Sequence, residues 1–232
     1  MRKEGEPAIE KVIQESDVID NSRKGAAGSD EQNPEEKINS LDKMELFEKI
    51  KTPEGLLDYM KNNLTYGWVG KDNRKLYSPK YEGWGVGEPP NNYYLQSPEE
   101  LLDTKHGLCW DQTELERSWF SKNNYEFKTF IAMVGRKISQ KNPAHTFLAY
   151  KKNDKWIWFE NTMEQSNGVH EFENLHDLEE NVKNIISNNA VNNGATDEDL
   201  KQFLFREYEK PVYGCSQDEF VDNIVNKHPP AD

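Results

Sequence analysis

The sequence lacks the features that mark disulfide-stabilised, zinc-binding or membrane-spanning proteins. Its 232 residues include only two cysteines, Cys109 and Cys215, and no Cys-x-x-Cys pair, so we expect neither a disulfide framework nor a zinc finger. No apolar run approaches the roughly 20 residues of a transmembrane helix, and the N-terminus has no apolar signal-peptide core. We therefore expect a cytoplasmic protein that binds no metal and no other cofactor.

Positive charge is also scarce in this chain. The 29 Lys and Arg residues stand against 42 Asp and Glu, for a formal net charge of −13. Nucleic-acid binding and attraction to anionic membranes both depend on concentrated Lys and Arg. We therefore expect neither partner, whereas a basic protein or a lysine-rich substrate is compatible with this charge.

Aromatic residues are absent from the first 40 positions, and Phe47 is the first in the chain. Polar and charged residues dominate there, so we expect residues 1–40 to be a disordered acidic tail. The alternative within it is a short partner-binding helix that carries apolar residues at positions 9–19. A single domain then spans 41–228.

Capping signals and apolar periodicity predict an α+β domain. Thr52-Pro53 and Ser97-Pro98 each begin a helix. The other elements are helices at 41–50, at 109–122, after Asn174 and after Ser216, strands at 66–69, 127–134, 145–151, 155–162 and 168–172, a strand or helix at 200–208, and a polar loop at 188–196. A long irregular stretch at 70–96, rich in Gly, Pro and aromatic residues, either covers the core or binds substrate.

Cys109 lies at the predicted start of the 109–122 helix, two residues after Gly107. A helix N-terminus favours the reactive thiolate, and its free backbone N–H groups can hold an oxyanion. Gly107 permits close approach of the backbone. Cys215 lies outside this segment, and we interpret it as structural or surface-exposed.

His145 opens a predicted strand, and Glu160 lies on the next one. With Asn153-Asp154 as a two-residue hairpin loop, Glu160 becomes the diagonal neighbour of His145 on one face, within reach of the imidazole. Asn161 then points the other way, and an odd-length loop would exchange the two. The other histidines are His106, His170, His176 and His228, of which His170, also at a strand start, is the main rival.

Together these motifs resemble the transglutaminase-like superfamily, most closely its bacterial members. The shared features are Gly-x-Cys-Trp at a helix start, a His that opens a strand, and Trp-x-x-x-acid-x-Thr at 156–162. The resemblance covers about residues 50–175. It implies a papain-like core in which the Cys-bearing helix packs on an antiparallel sheet, with flanking helices. The family usually has Asp as its third residue, where this chain has Glu160.

The resemblance implies a thiol enzyme that acts on amide bonds of a protein or peptide substrate. Cys109 attacks a carboxamide or peptide carbonyl, His145 transfers the proton, and Glu160 fixes the imidazole tautomer. The Cys109 backbone N–H is one oxyanion donor. Candidates for the second donor or for substrate contacts are Gln96, Trp84, Tyr94 and Trp110. Water or an amine resolves the acyl-thioester. The alternative function is a peptide-binding module with the same fold and little catalysis.

Overall fold

The computed structural model describes residues 45, 47–70, 93–135, 138 and 142–225, together with the backbone of 75–77. The predicted tail at 1–40 lies outside the described residues. So do most of the 70–96 stretch, including Trp84, and five of the ten residues of the helix predicted at 41–50. Phe47 from that helix is fully buried.

The described chain contains both helices and strands, with three strands in succession at its centre. The helices are α1 (Pro53–Asn63), α2 (Pro98–Thr104), α3 (Cys109–Lys122), α4 (Leu175–Asn192), α5 (Asp197–Leu200) and α6 (Gln217–Val225). The strands are β1 (Thr65–Val69), β2 (Lys75–Tyr77), β3 (His106–Gly107), β4 (Phe127–Val134), β5 (Ala144–Lys152), β6 (Lys155–Glu160), β7 (Gly168–Phe172) and β8 (Phe203–Glu207). No helix in these described parts is long and apolar enough to cross a membrane.

A five-stranded antiparallel sheet forms the centre of the fold, with strand order β7-β6-β5-β4-β8. A smaller sheet has the order β2-β1-β3, in which β1 runs antiparallel to β2 and parallel to β3. The predicted α+β class is therefore confirmed.

Helices α3 and α4 cover opposite faces of the large sheet. In β5, Leu148 packs in the same cluster as Leu115 and Trp119 of α3. Its neighbour Phe147 packs with Leu178 of α4. Because side chains alternate between the faces of a strand, the two buried faces explain the nearly continuous apolar runs of β4, β5 and β6.

The predicted helix starts at Thr52 and Ser97 are confirmed. The Thr52 hydroxyl accepts the Gly55 backbone N–H at 3.1 Å. At Ser97 both halves of a capping box are present: its hydroxyl accepts the Glu100 N–H, and the Glu100 carboxylate accepts the Ser97 N–H at 2.7 Å. Proline occupies the first helical turn in both helices.

The hairpin of β5 and β6 has the predicted register. Lys152 pairs with Lys155, and the pairing continues to Leu148 opposite Phe159. Asn153 and Asp154 have φ angles of 53° and 65°, the left-handed conformation that two-residue hairpin loops require.

Strand β6 ends at Glu160, two residues before the predicted end at Thr162. The Glu160 Oε1 atom accepts the backbone N–H groups of Thr162 and Met163, each at 2.7 Å. These bonds turn the chain out of the sheet.

The prediction of a polar loop at 188–196 is wrong, because α4 continues to Asn192. Ala190 extends the buried stripe of Val182 and Ile186 by one more turn, and this packing outweighs the low helix propensity of the asparagines. The ambiguous 200–208 segment contains β8, which pairs with β4.

Candidate active site

Helix α3 and strand β5 meet at Cys109, the first residue of α3. Its side chain hydrogen-bonds the side chain of His145, and the backbone N–H and hydroxyl of Thr146 also bond the sulfur. The Thr146 hydroxyl in turn accepts from Thr113, one turn into α3, at 3.4 Å. Cys109 is half-buried, so the thiol is held from the protein side while part of the residue remains exposed.

His145 is held from its other side by Glu160. The imidazole Nε2 lies 2.6 Å from the Glu160 Oε2 atom, and both side chains are 1% exposed. Because Nε2 faces the carboxylate, Nδ1 is the ring nitrogen that faces the thiol. Asn161 points the other way, and its Nδ2 donates to Gln112 of α3 at 2.5 Å. The predicted orientation of Glu160 and Asn161 is confirmed.

The charges of these three groups support one another. Burial raises the pKa of Cys109, but the hydrogen bond and charge of His145 outweigh it and leave the pKa lowered. Burial lowers the pKa of His145, and the Glu160 charge with the bonds to both partners raises it to about 10. Burial raises the pKa of Glu160, and the His145 charge and hydrogen bonds bring it below its usual value. All three directions favour the charge state in which Cys109 is a thiolate, His145 an imidazolium and Glu160 a carboxylate.

The other described histidines bond elsewhere. The ring of His170, the main rival, contacts the Ser166 carbonyl through Nε2 at 2.6 Å and packs against Trp158. His106 contacts the Thr104 carbonyl through Nδ1 at 2.6 Å, and His176 is exposed on α4. His228 lies outside the described residues.

Asp111 anchors the loop that leads into α3. Its carboxylate accepts the Leu108 N–H at 2.8 Å, the Tyr93 hydroxyl at 2.7 Å and the Gln96 N–H at 2.9 Å. A Cβ on Gly107 would lie 2.7 Å from the Asp111 Cβ atom, so the close approach predicted for this glycine is present. As in any α-helix, the first N–H groups of α3, including that of Cys109, have no acceptor inside the helix.

The residues predicted to donate to the oxyanion or to contact the substrate differ in their burial and contacts. Gln96 is fully buried, and its amide donates to the His106 carbonyl and accepts the Thr104 hydroxyl, both at 2.7 Å. The Trp110 ring is 4% exposed and packs between Tyr93 and Phe220. Tyr94 is half-buried. The structure thus gives Gln96 and Trp110 structural contacts, and Tyr94 is the candidate with exposed surface.

Two buried polar residues on α3 were not predicted from the sequence. The Gln112 Nε2 atom donates to the Gly107 carbonyl at 3.1 Å, while its Oε1 accepts from Asn161. Gln112 thus links the loop before Cys109 to the residue after Glu160. Glu116 is 2% exposed, and its Oε2 atom has no hydrogen-bond partner. Gln112 and Glu116 lie three and seven residues after Cys109, a spacing that places them near the nucleophile's side of the helix. This spacing is the sequence feature from which they could have been identified.

Cys215 differs from Cys109 in its surroundings. It is half-buried, and its backbone carbonyl accepts the Leu95 N–H at 2.9 Å. Burial, followed by the nearby charge of Glu219, raises the pKa of Cys215 to about 11. This thiol is protonated at neutral pH.

Comparisons of the chain with protein-family models and with curated proteins found no match. The function is therefore inferred from the residues and their geometry.

Proposed function

We propose that the protein is a transglutaminase-like thiol enzyme that acts on carboxamide or peptide bonds through an acyl-thioester on Cys109. The observation that carries this proposal is the continuous contact from Cys109 to His145 to Glu160, with the nucleophile at a helix start and the last two side chains buried. The α3 helix on an antiparallel sheet would then be the core of a papain-like fold. We also propose that the protein is located in the cytoplasm.

The proposed reaction begins with attack of the Cys109 thiolate on the substrate carbonyl carbon. The negative charge that develops on the carbonyl oxygen lies near the N-terminus of α3, where backbone N–H groups and the helix dipole stabilise it. His145 then gives its Nδ1 proton to the leaving nitrogen as the C–N bond breaks. A neutral thioester and a neutral imidazole remain.

Resolution of the thioester reverses the role of His145. The neutral imidazole takes a proton from water or an incoming amine, which attacks the thioester carbonyl, and the thiolate leaves. Glu160 keeps Nε2 protonated throughout, so that Nδ1 is the nitrogen that exchanges protons. Water gives hydrolysis, and a primary amine gives a new amide.

A peptide mixture tests the proposal without a known substrate. The full-length protein is incubated with a casein digest and hydroxylamine, and mass spectrometry follows cleaved, deamidated and hydroxamate products. We expect products with the wild type and with Cys215→Ala, and none with Cys109→Ala or His145→Ala. Retention of all products in Cys109→Ala would overturn the thiol mechanism. If no variant or wild type forms product while the peptides bind, the binding-module function is favoured.

A further inference from the structure

Thr146 is a buried polar residue beside His145 that the proposed reaction does not use. Its side chain is 4% exposed, and it lies on β5 opposite Ile131 of β4. On the other side of β5, the pairing with β6 runs from Lys152 to Leu148. Thr146 therefore lies two residues beyond the paired part of β6, at an edge of β5 that the sheet leaves open.

The end of β6 explains this opening. A continued register would place Asn161 opposite Thr146. The strand ends one residue earlier, at Glu160, where the chain turns out of the sheet. The backbone N–H of Thr146 thus lies outside the β5–β6 ladder, and it bonds the Cys109 sulfur.

Two contacts bring the Thr146 side chain to the first turn of α3. The Thr113 Oγ1 atom donates to the Cys109 carbonyl at 2.8 Å and lies 3.4 Å from the Thr146 Oγ1 atom. Thr113 is 1% exposed. Because the Thr146 hydroxyl also bonds the Cys109 sulfur, the two threonines and the nucleophile form one buried cluster between α3 and β5.

The distances determine where the hydroxyl hydrogens of this cluster go. Each threonine has one hydroxyl hydrogen to donate. The Thr113 hydrogen belongs to the Cys109 carbonyl, because 2.8 Å is an ordinary O–H···O length and 3.4 Å exceeds the usual range. The Thr146 hydrogen is therefore available to the sulfur, and the bond is strongest when the sulfur is a thiolate.

We propose that Thr146 is a further catalytic residue, which holds the Cys109 thiolate with both its hydroxyl and its backbone N–H. The proposal rests on the proposed function. Thr146 donates hydrogen bonds and keeps its own hydrogens, so His145 remains the group that transfers protons. The two donors hold the thiolate before it attacks the carbonyl. They receive the sulfur again when the C–S bond of the thioester breaks and its electron pair returns to the sulfur.

The test compares the pH dependence of Cys109 alkylation by iodoacetamide in full-length wild type, Thr146→Val and Thr146→Ser. Valine keeps the branched shape without the hydroxyl, whereas serine keeps the hydroxyl. Peptide mass spectrometry follows the modification of Cys109. We expect the midpoint to rise by about one pH unit in Thr146→Val, because the thiolate loses a charge-assisted hydrogen bond. We expect Thr146→Ser to retain the wild-type midpoint.

Thr113→Val is the matched control. It removes a similarly buried hydroxyl that bonds the Cys109 carbonyl rather than the sulfur, so we expect its midpoint to equal that of the wild type. The ionisable groups that interact with Cys109 keep their identity in every variant; they are His145 on β5 with its partner Glu160 on β6, Glu116 on α3, Tyr93 before α2 and Tyr208 after β8.

Two alkylation results would overturn the proposal. One is an unchanged midpoint in Thr146→Val, and the other is an equal rise in Thr113→Val. Thermal unfolding checks that each variant is folded. If Thr146→Val does not fold, Thr146→Ala is the second variant without the hydroxyl, and the same rise is expected from it.

The rate profile distinguishes a thiolate contact from a purely structural role. With the casein-derived peptide that the wild type converts best, the acidic limb of kcat/KM should move to higher pH in Thr146→Val by about one unit, because this limb reports ionisation of the free enzyme. A structural loss would lower kcat/KM at every pH and leave the limb in place, which would overturn the proposal.

The two measurements also separate this proposal from the proposed function. If the alkylation midpoint moves in Thr146→Val but the wild type forms no amide product, the proposed function fails while the bond from Thr146 to the thiolate stands. If the wild type is active and neither profile moves in Thr146→Val, only the Thr146 proposal fails.

Discussion

Glu160 lies diagonally across the hairpin from His145, with its Oε2 atom 2.6 Å from the imidazole Nε2. The carboxylate is itself fixed, since its Oε1 atom accepts two backbone N–H groups and the Thr162 hydroxyl. A fixed acceptor determines both the orientation of the ring and which nitrogen faces the thiol. The relationship therefore links a strand register to the charge state of Cys109.

The first prediction concerns Glu160→Gln. Removal of the carboxylate charge lowers the pKa of His145 from its value of about 10, so the imidazolium supports the Cys109 thiolate less well. We expect the midpoint of Cys109 alkylation by iodoacetamide to move to higher pH by about one unit or more. Glu171→Gln, an exposed change on β7, is the matched control. An unchanged midpoint in Glu160→Gln would contradict the proposed charge coupling.

Local signals were sufficient to predict the elements that carry Cys109, His145 and Glu160. The bounds of α3 agree with the prediction at Cys109 and Lys122, because apolar periodicity and the Asn123-Asn124 pair define that helix. The β5–β6 register follows from Asn153-Asp154 in the left-handed conformation, and register alone determines that Glu160 shares a face with His145.

Features that depend on tertiary contacts were not predictable in the same way. The last turn of α4 forms because Ala190 packs on the sheet, whereas its local sequence is rich in asparagine. The burial of Gln112 and Glu116 is also tertiary, since polar side chains on a helix are ordinarily exposed. Sequence periodicity could place them near the nucleophile's side but could not reveal their partners.

The second prediction concerns the difference between the two thiols. At neutral pH a thiol with a pKa of about 11, as at Cys215, is ionised in about one molecule in ten thousand. The lowered pKa of Cys109 makes its thiolate far more abundant. We expect iodoacetamide at about pH 7 to modify Cys109 first, as measured by peptide mass spectrometry. In denaturant both should react at similar rates, and preferential labelling of folded Cys215 would contradict the assignment.

The third prediction concerns the Gln112–Asn161 contact. Gln112→Ala removes both the bond to the Gly107 carbonyl and the bond from Asn161, so we expect a loss of about 1–3 kcal/mol in unfolding free energy. Asn161→Ala should reduce the unfolding free energy by less, because it removes only one of these two bonds and leaves only the Gln112 Oε1 atom unpaired. The measurement is chemical denaturation of the two single variants and the double variant.

If the two residues act as one link, the double variant should be more stable than the sum of the single losses predicts, by about 0.5–1.5 kcal/mol. Cys109 should also be alkylated more slowly in these variants, because the Gln112–Asn161 contact holds the loop that positions the nucleophile. Additive losses with unchanged alkylation would show that the contact does not position Cys109.

The fourth prediction concerns the pH dependence of stability. Burial raises the pKa of Asp111 and of Glu114 to about 7, and raises that of Glu116 well above its usual value. A buried acid with a raised pKa holds its proton in the folded chain after the unfolded chain has lost it. Its contribution is therefore largest below about pH 4 and declines as the pH rises toward the folded pKa.

Two other groups, His145 and Glu160, also affect the pH dependence of folding stability. The raised pKa of His145 contributes stability below about pH 6.5 that is lost as the pH rises through about 10. Glu160, with its lowered pKa, contributes stability that is lost in acid. Because more groups favour the protonated folded state, we expect Tm to be highest near about pH 5 and several degrees lower at about pH 8. Calorimetry across this range checks it, and a Tm that rises steadily from pH 5 to pH 8 would show that these acids are not buried as described.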